Sequence, residues 1–154
     1  MGVNPSRVRM QMDKAAAVTL RDAADGAETA TATETAVPLN LIKGAYWQDG
    51  NELPHGVFEV GVDVVNADVG TGASYTFSLI GDDTSNMSDS PVTLFSVLLP
   101  VKAGFYRFAI DSKTIMSLDG DEGGADYWIA AKMTLAGTGP SITYGAWIGK
   151  SLAP

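Results

Sequence analysis

Residues 126–150 read DYWIAAKMTLAGTGPSITYGAWIGK, and this stretch decides the fold class. Two segments rich in aromatic, Thr and apolar residues flank a glycine-rich turn at 136–140. Two such segments around a short glycine-containing turn predict a β-hairpin, here the closing hairpin of an all-β domain. Side chains alternate across a strand, so one face of the first strand takes Tyr127, Ile129, Ala131, Met133 and Leu135.

The composition of the whole chain favours the same class. It has 154 residues, of which 45% are apolar and only 18% charged, and it contains 17 glycines. A chain of this length supports one buried core and is too short for two ordinary domains. We therefore predict one all-β domain over residues 15–154, a two-sheet antiparallel sandwich of about eight strands. A jelly roll is the first choice, and an immunoglobulin-like sandwich is the alternative.

Two further segments alternate clearly. Residues 57–65, VFEVGVDVV, place Phe58 and every second residue after it on one face, and residues 74–80, SYTFSLI, repeat the pattern from Tyr75. These two segments are predicted to pair with each other as antiparallel neighbours. Shorter elements are predicted at 15–22 (strand, with helix as the alternative), at 27–37 (extended edge or loop) and at 39–45 (strand).

The charge is strongly acidic and unevenly distributed. The net charge is −8, which disfavours binding to nucleic acid phosphates or anionic membranes. Residues 1–14 carry Arg7, Arg9 and Lys14 against Asp13, a net +2 that leaves −10 on the rest. We expect residues 1–14 to be an extended arm that contacts another acidic surface, with an ordinary loose terminus as the alternative.

The chain contains no cysteine, which excludes disulfides, thiolate chemistry and zinc–thiolate sites. No apolar run approaches the ~20 residues of a membrane span. We expect no signal peptide, because Arg21 and Asp22 directly follow the short apolar run at 15–20. Synthesis in a cytoplasm is the simplest expectation.

Residues for catalysis are scarce. The only histidine, His55, lies in a Pro-His-Gly turn near Asp49 and Glu52, and a single histidine in a turn is seldom a general base. Nucleophile-elbow, phosphate-loop and zinc-protease motifs do not occur. A pair of catalytic carboxylates of the glycosidase type can be neither assigned nor excluded from the sequence, because the distance between the two groups in the fold decides whether they can act together. We predict no catalytic residue, no cofactor and no metal site.

Two acidic loops are weak candidates for calcium. Residues 119–126 begin with the Asp-x-Asp spacing of a calcium loop, but glycines occupy 123 and 124, so a solvated turn is the simpler interpretation. The carboxylates of that loop are Asp119, Asp121, Glu122 and Asp126. Asp82 and Asp83, in the loop at 82–89, would add ligands only if the fold brings the two loops together.

Aromatic residues supply the candidate binding surface. Tyr46 and Trp47 open a long polar loop at 46–56, and Trp128 and Trp147 lie in the closing stretch. Aromatic side chains anchor protein interfaces and also stack on sugars. A subunit or partner interface is the favoured interpretation for Trp128 and Trp147. A sugar platform is the alternative for them, and core packing under the loop is the alternative for Tyr46 and Trp47.

The closing pattern YWIAAKMTLAGTGPSITYGAWIG resembles that of tailed-bacteriophage capsid cement proteins of the type described for a Bordetella phage. The order before it is similar: a Thr/Ala-rich beginning, a long loop, a strand like VFEVGVDVV, a Thr/Ser-rich strand, and a run ending LLPVKAGFYRF. The likeness covers roughly residues 15–149 and concerns the order of the segments and the types of residue in them. It does not extend in detail to residues 1–14 or 46–56.

The resemblance implies a jelly roll that forms a homotrimer on the outer surface of a phage head and clamps neighbouring major capsid proteins. It implies a virion location, no catalytic residue and no cofactor. Arg7, Arg9 and Lys14 would then contact acidic capsid surface. The alternative is a carbohydrate-binding jelly-roll module of a receptor-binding or fibre protein, which would use Tyr46, Trp47 and the acidic loops. An enzyme is the third and weakest hypothesis.

Overall fold

The protein is described by a computed structural model over residues 17–38, 57–111 and 128–150. These residues form nine β-strands and a 3-10 helix at Ala23–Asp25. The strands are β1 Val18–Arg21, β2 Ala32–Thr33, β3 Val37–Pro38, β4 Val57–Ala67, β5 Ser74–Asp82, β6 Val92–Leu99, β7 Gly104–Asp111, β8 Trp128–Ala136 and β9 Ile142–Lys150.

The strands form two antiparallel sheets packed face to face. The first sheet has the order β1-β9-β4-β7, and the second has the order β2-β8-β5-β6, with β3 also pairing with β8. Buried residues from both sheets form a single apolar cluster between them. The prediction of an all-β, two-sheet antiparallel sandwich is therefore confirmed.

The predicted alternation places the core residues correctly. In β4, Phe58 and the three valines at every second position after it are at most 2% exposed. In β5, Tyr75, Phe77 and Leu79 are fully buried. The Phe77 ring meets Tyr144 of β9 edge to face, with centroids 6.4 Å apart and planes at 82°. A period of two therefore identified the inner faces of both sheets.

The N-terminal part follows the strand prediction rather than the helical alternative. β1 pairs with β9, and the chain then turns through the 3-10 helix, which Asp22 caps by accepting a hydrogen bond from the Ala24 amide at 2.9 Å. The extended edge predicted at 27–37 contains a bridge from Glu28 to Ile142 and the short strands β2 and β3. The strand predicted at 39–45 lies outside the described residues.

The strand pairs are nested along the chain. β1 pairs with β9, β2 and β3 with β8, β4 with β7, and β5 with β6. Successive pairs fall alternately in the first and the second sheet. This is the arrangement of a long two-stranded ribbon that folds over itself. Among the described strands, only β5 and β6 are consecutive in the chain and also neighbours in a sheet.

The predicted pairing of the segments at 57–65 and 74–80 is wrong. β4 lies between β9 and β7 in the first sheet, whereas β5 lies between β8 and β6 in the second. The two strands belong to different sheets and share no ladder hydrogen bonds, although both bury side chains in the common core. Alternation specifies which face of a strand is buried, but it does not specify the neighbour.

The predicted closing hairpin is also wrong, although both of its strands exist. β8 belongs to the second sheet and β9 to the first, so residues 137–141 cross from one sheet to the other. The crossing turn packs on the connection between β4 and β5, where the Thr138 amide donates to the Thr71 carbonyl at 3.1 Å. Gly137 there has a φ of 104°, which glycine adopts at little cost.

We predict that Gly137→Ala destabilises the fold by about 2–4 kcal/mol, because it adds a Cβ in the left-handed region and against backbone. That Cβ would lie 2.7 Å from atoms of Gly72 and Ala73. Gly139→Ala is the matched control: its φ is 60° and a Cβ there meets nothing within 4 Å, so only about 1 kcal/mol is expected. Urea unfolding of both variants measures the difference. Equal losses would contradict the packed crossing.

Candidate functional site

Several boundaries of the described segments lie at one end of the sandwich. In the first sheet, Val57 at the start of β4 lies opposite Asp111 at the end of β7. The next residue, Phe58, lies opposite Lys150 at the end of β9. Antiparallel pairing thus places the start of β4 beside the ends of its two neighbours.

The second sheet ends at the same side with Trp128. This residue begins β8 and lies between Pro38 of β3 and Asp82 of β5. The connections at 68–73, 100–103 and 137–141 join the two sheets at the opposite end. We call the end of the sandwich at which Val57, Asp111, Lys150 and Trp128 lie the Trp128 end. The stretches that join the described chain there are 1–16, 39–56, 112–127 and 151–154.

Several predicted site residues fall in these stretches and lie outside the described residues: Arg7, Arg9, Lys14, Tyr46, Trp47, His55 and the loop at 119–126. Their predicted roles stay predictions. The strand registers place the described residues that border these stretches at the Trp128 end. Sequence spacing alone did not indicate this, because the boundary residues are far apart along the chain.

Trp128 is half-buried and lies on the face of β8 opposite to the core. Ile129, Ala131 and Met133 alternate with it and are fully buried, as predicted. The neighbour Asp82 is 2% exposed. Trp128 therefore sits beside a buried carboxylate at the edge of a loop.

Asp82 organises the polar loop that follows β5. Its Oδ2 accepts hydrogen bonds from the Thr84 hydroxyl at 3.1 Å and from the Asp89 amide at 3.0 Å. Burial opposes ionisation, but the hydrogen bonds from Asp89, Asp83 and Thr84 outweigh it and lower the pKa of Asp82. The side-chain contact with Asp82 raises the pKa of Asp83. The carboxylate is thus engaged in holding the loop.

The calcium hypothesis has no support among residues 17–38, 57–111 and 128–150, where no group of three or more Asp, Glu, His or Cys side chains is placed to hold a metal. The oxygens of Asp82 accept loop hydrogen bonds instead. The second loop, residues 119–126, ends two residues before Trp128, which is opposite Asp82. The carboxylates of that second loop lie outside the described residues.

Trp147 lies on the outer face of the first sheet, away from Trp128. It pairs with Gly61 of β4 and Thr19 of β1, and its ring stacks on Phe105 of β7, with centroids 6.3 Å apart and planes at 30°. The indole also lies over Gly145, where a Cβ would come within 2.9 Å of it. The two tryptophans predicted to contact a partner are therefore on the outer faces of different sheets.

An ion pair lies beside this aromatic stack. Arg107 of β7, also opposite Gly61, holds Glu59 of β4 through two hydrogen bonds, of which Nη2 to Oε2 measures 2.9 Å. The Glu59 side chain is only 6% exposed. The hydrogen bond that Arg107 donates to Glu59 raises the pKa of Arg107, so the guanidinium stays protonated. The outer face of the first sheet therefore carries the stacked rings of Trp147 and Phe105 next to the ion pair of Glu59 and Arg107.

A second polar cluster, which the sequence did not reveal, connects the N-terminal part to β9. The Arg21 side chain, 2% exposed, donates to the Tyr144 carbonyl at 3.1 Å, to the Gly26 carbonyl at 2.7 Å and to Glu34 Oε1 at 3.2 Å. It also forms an ion pair with Glu28 at 3.1 Å and lies 4.7 Å from the centroid of the Tyr144 ring. The Tyr144 hydroxyl donates to Glu34 at 2.8 Å.

Burial shifts the pKa of two members of this cluster, Glu34 and Tyr144. It raises the pKa of Glu34, although the hydrogen bond from Tyr144 and the positive charge of Arg21 act in the opposite sense. Burial and the charge of Glu34 also raise the pKa of Tyr144, so its phenol keeps its proton. These contacts join residues that are up to 123 positions apart in the sequence. The cluster therefore serves to hold the fold.

No helix in the described part of the chain is long and apolar enough to span a membrane. Comparisons with family models, with curated proteins and with solved structures gave no match to this chain.

Proposed function

We propose that this chain is a capsid cement protein, which binds the outer surface of a phage head and stabilises contacts between major capsid proteins. The proposal begins from the resemblance of residues 15–149 to phage cement proteins. That resemblance implies a jelly roll. The nested pairing of β1 with β9, β2 and β3 with β8, β4 with β7 and β5 with β6 is the single observation that carries the proposal. A jelly roll is a double-sheet sandwich of eight strands, and viral capsid domains use it.

The described residues also suit a structural role. The apolar core is continuous between the sheets, and the carboxylates Glu34, Glu59 and Asp82 are all engaged by hydrogen bonds. A cement protein needs such a rigid body together with segments that grip the shell. On this proposal the gripping surface is the Trp128 end, and the protein acts as a homotrimer bound to the major capsid protein in the virion.

The basic arm provides the test of this gripping surface. Residues 1–14 carry a net charge of +2 and join the described chain at the Trp128 end. We expect deletion of residues 1–14 to weaken the affinity of the protein for undecorated heads by about fivefold or more, and so to lower its occupancy below saturation, since two or three charge contacts of about 0.5–1 kcal/mol each are lost. Co-sedimentation with purified heads measures occupancy. Unchanged occupancy would remove the arm from the mechanism.

The second candidate is a carbohydrate-binding module. The stack of Trp147 on Phe105 beside the Glu59–Arg107 pair favours it, because aromatic faces next to polar groups bind sugars. Glycan-array binding that Trp147→Ala and Trp47→Ala each abolish would favour this function over cement. Binding to heads with no signal on the array would favour cement.

A further inference from the structure

Residues 17–38, which we call the strap, close one side of the sandwich. The strap runs as β1 in the first sheet, crosses through the 3-10 helix and continues as β2 and β3 in the second sheet. It pairs with β9 and β8, whose other neighbours among the described strands are β4 and β5. The strap therefore covers one edge of β9 and one edge of β8, where backbone groups would otherwise be open to another strand.

The strap contributes few side chains to the apolar core. Within it Leu20 and Arg21 are the buried residues, while Val18 and Val37 pack against the core and stay partly exposed. The strands β2 and β3 have two residues each, and the register of β1 on β9 shifts once within its four residues. Segments with few buried apolar contacts and short ladders open locally at a lower free energy than the rest of a domain.

The two sheets keep their main ladders without the strap. β9 pairs with β4 from Ile142 to Lys150, and β8 pairs with β5 from Trp128 to Ala136. Leu20 is the strap's buried member of the apolar cluster, and the other buried members come from β4, β5, β6, β7, β8 and β9. An open strap therefore leaves two three-stranded sheets around a nearly complete core.

Arg21 links the parts of the strap to each other and to β9. Its buried side chain contacts three separate strap positions, Gly26, Glu28 and Glu34, and it also contacts the carbonyl and the ring of Tyr144. These contacts form and break together because one side chain makes all of them. Arg21 thus makes opening of the strap a single cooperative step.

We propose that the strap opens as one unit while the two three-stranded sheets stay folded, and that the contacts of Arg21 keep it closed. Opening frees the chain from residue 1 to residue 38. A segment of 16 residues reaches at most about 55 Å, whereas one of 38 residues reaches about 130 Å. The basic arm at 1–14 therefore more than doubles its reach when the strap opens. The device does not rest on the cement function.

Native-state hydrogen exchange of the full chain, followed by NMR, tests the proposal. The Glu28 amide donates to the Ile142 carbonyl at 2.8 Å and the Glu34 amide to the Ala131 carbonyl at 2.9 Å, so both amides report closure of the strap. After correction for intrinsic rates they should exchange about 100-fold or more faster than amides in the ladder between β4 and β9, with a weaker dependence on denaturant. Equal protection of the strap and the ladder would overturn the proposal.

Two substitutions of the same type separate opening of the strap from global unfolding. Arg21→Met should remove most of the protection of the Glu28 and Glu34 amides while the ladder between β4 and β9 stays protected. Arg107→Met is the matched control, because it removes the arginine of the ion pair with Glu59 on β7, at the opposite edge of the first sheet.

Arg107→Met destabilises the closed and the open strap states alike, since β7 keeps its contacts in both. It should therefore speed exchange in the ladder and leave the Glu28 and Glu34 amides unchanged within about twofold. Equal acceleration of strap and ladder amides by Arg107→Met would show that the strap opens only with the whole fold. Strap amides that stay protected in Arg21→Met would remove Arg21 from the device.

Discussion

Arg21→Met is expected to lower the free energy of unfolding by about 3–5 kcal/mol, because it removes one partner of a buried ion pair and leaves the other charges uncompensated. Arg21 is 2% exposed at its side chain and neutralises Glu34, which is 13% exposed. The substitution also leaves the carbonyls of Gly26 and Tyr144 without their donor. Urea unfolding followed by circular dichroism measures the loss.

The effect of this substitution should depend on pH in a defined direction. Burial already raises the pKa of Glu34 above its usual 4.5, and the charge of Arg21 opposes that rise. Without Arg21 the folded-state pKa rises further. A carboxyl whose pKa is higher in the folded chain adds stability below its unfolded pKa and loses it as the pH rises through the folded value. The deficit of Arg21→Met should therefore be smaller at about pH 4 than at about pH 7.

The matched variant for this experiment is Arg21→Met combined with Glu34→Gln. It removes the uncompensated carboxylate and should restore part of the stability and flatten the pH dependence, because the substituted amide has no charge to bury. A double variant no more stable than Arg21→Met at neutral pH, or a deficit that grows towards low pH, would contradict the assigned role of Glu34.

Phe77→Ala is the second large effect, with an expected loss of about 3–5 kcal/mol from removing a fully buried aromatic ring. Phe77 has no exposed surface and contacts Tyr144 across the core edge to face. The cavity would lie between the two sheets, where the surrounding strands cannot collapse without losing register. Chemical denaturation at a fixed pH measures the loss.

Phe105→Ala is the control for Phe77→Ala, because it removes the same side chain from the outer face of the first sheet. Phe105 is half-buried and stacks on Trp147, so about 1 kcal/mol is expected. Losses of equal size at the two positions would mean that the inner and outer faces are wrongly assigned.

Strand faces were predictable from the sequence, whereas strand neighbours were not. The run from Phe58 to Val64 shows which side of β4 is buried, because each strand carries that information in its own period of two. The partner of β4 is set by residues such as Ile148 and Phe108, far along the chain. The local sequence pattern of β4 therefore does not indicate which strands pair with it.

The turn at 136–140 shows the same limit. Its glycines signal a chain reversal, and the chain does reverse there, but a reversal within a sheet and a crossing between sheets use similar turn residues. What decides is the packing of Gly137 and Thr138 against residues 70–73. The buried cluster around Arg21 escaped prediction for a related reason, because its partners Glu34 and Tyr144 come from segments that meet only in the fold.

The candidate site was predictable in its residue types and not in its arrangement. The sequence singled out Trp128 and Trp147 as contact residues. The fold places them on the outer faces of different sheets, so one flat partner surface cannot cover both. The meeting of the segment boundaries at the Trp128 end was visible only from the strand registers.

The thermal stability of undecorated phage heads, measured by calorimetry with and without the chain, tests the cement function most directly. Heads expanded without the chain should bind it at saturating, stoichiometric levels, and their transition should move to higher temperature in proportion to occupancy. The variant lacking residues 1–14 should shift the transition less at the same concentration. A transition that stays in place while the folded chain remains in solution would contradict the proposed function.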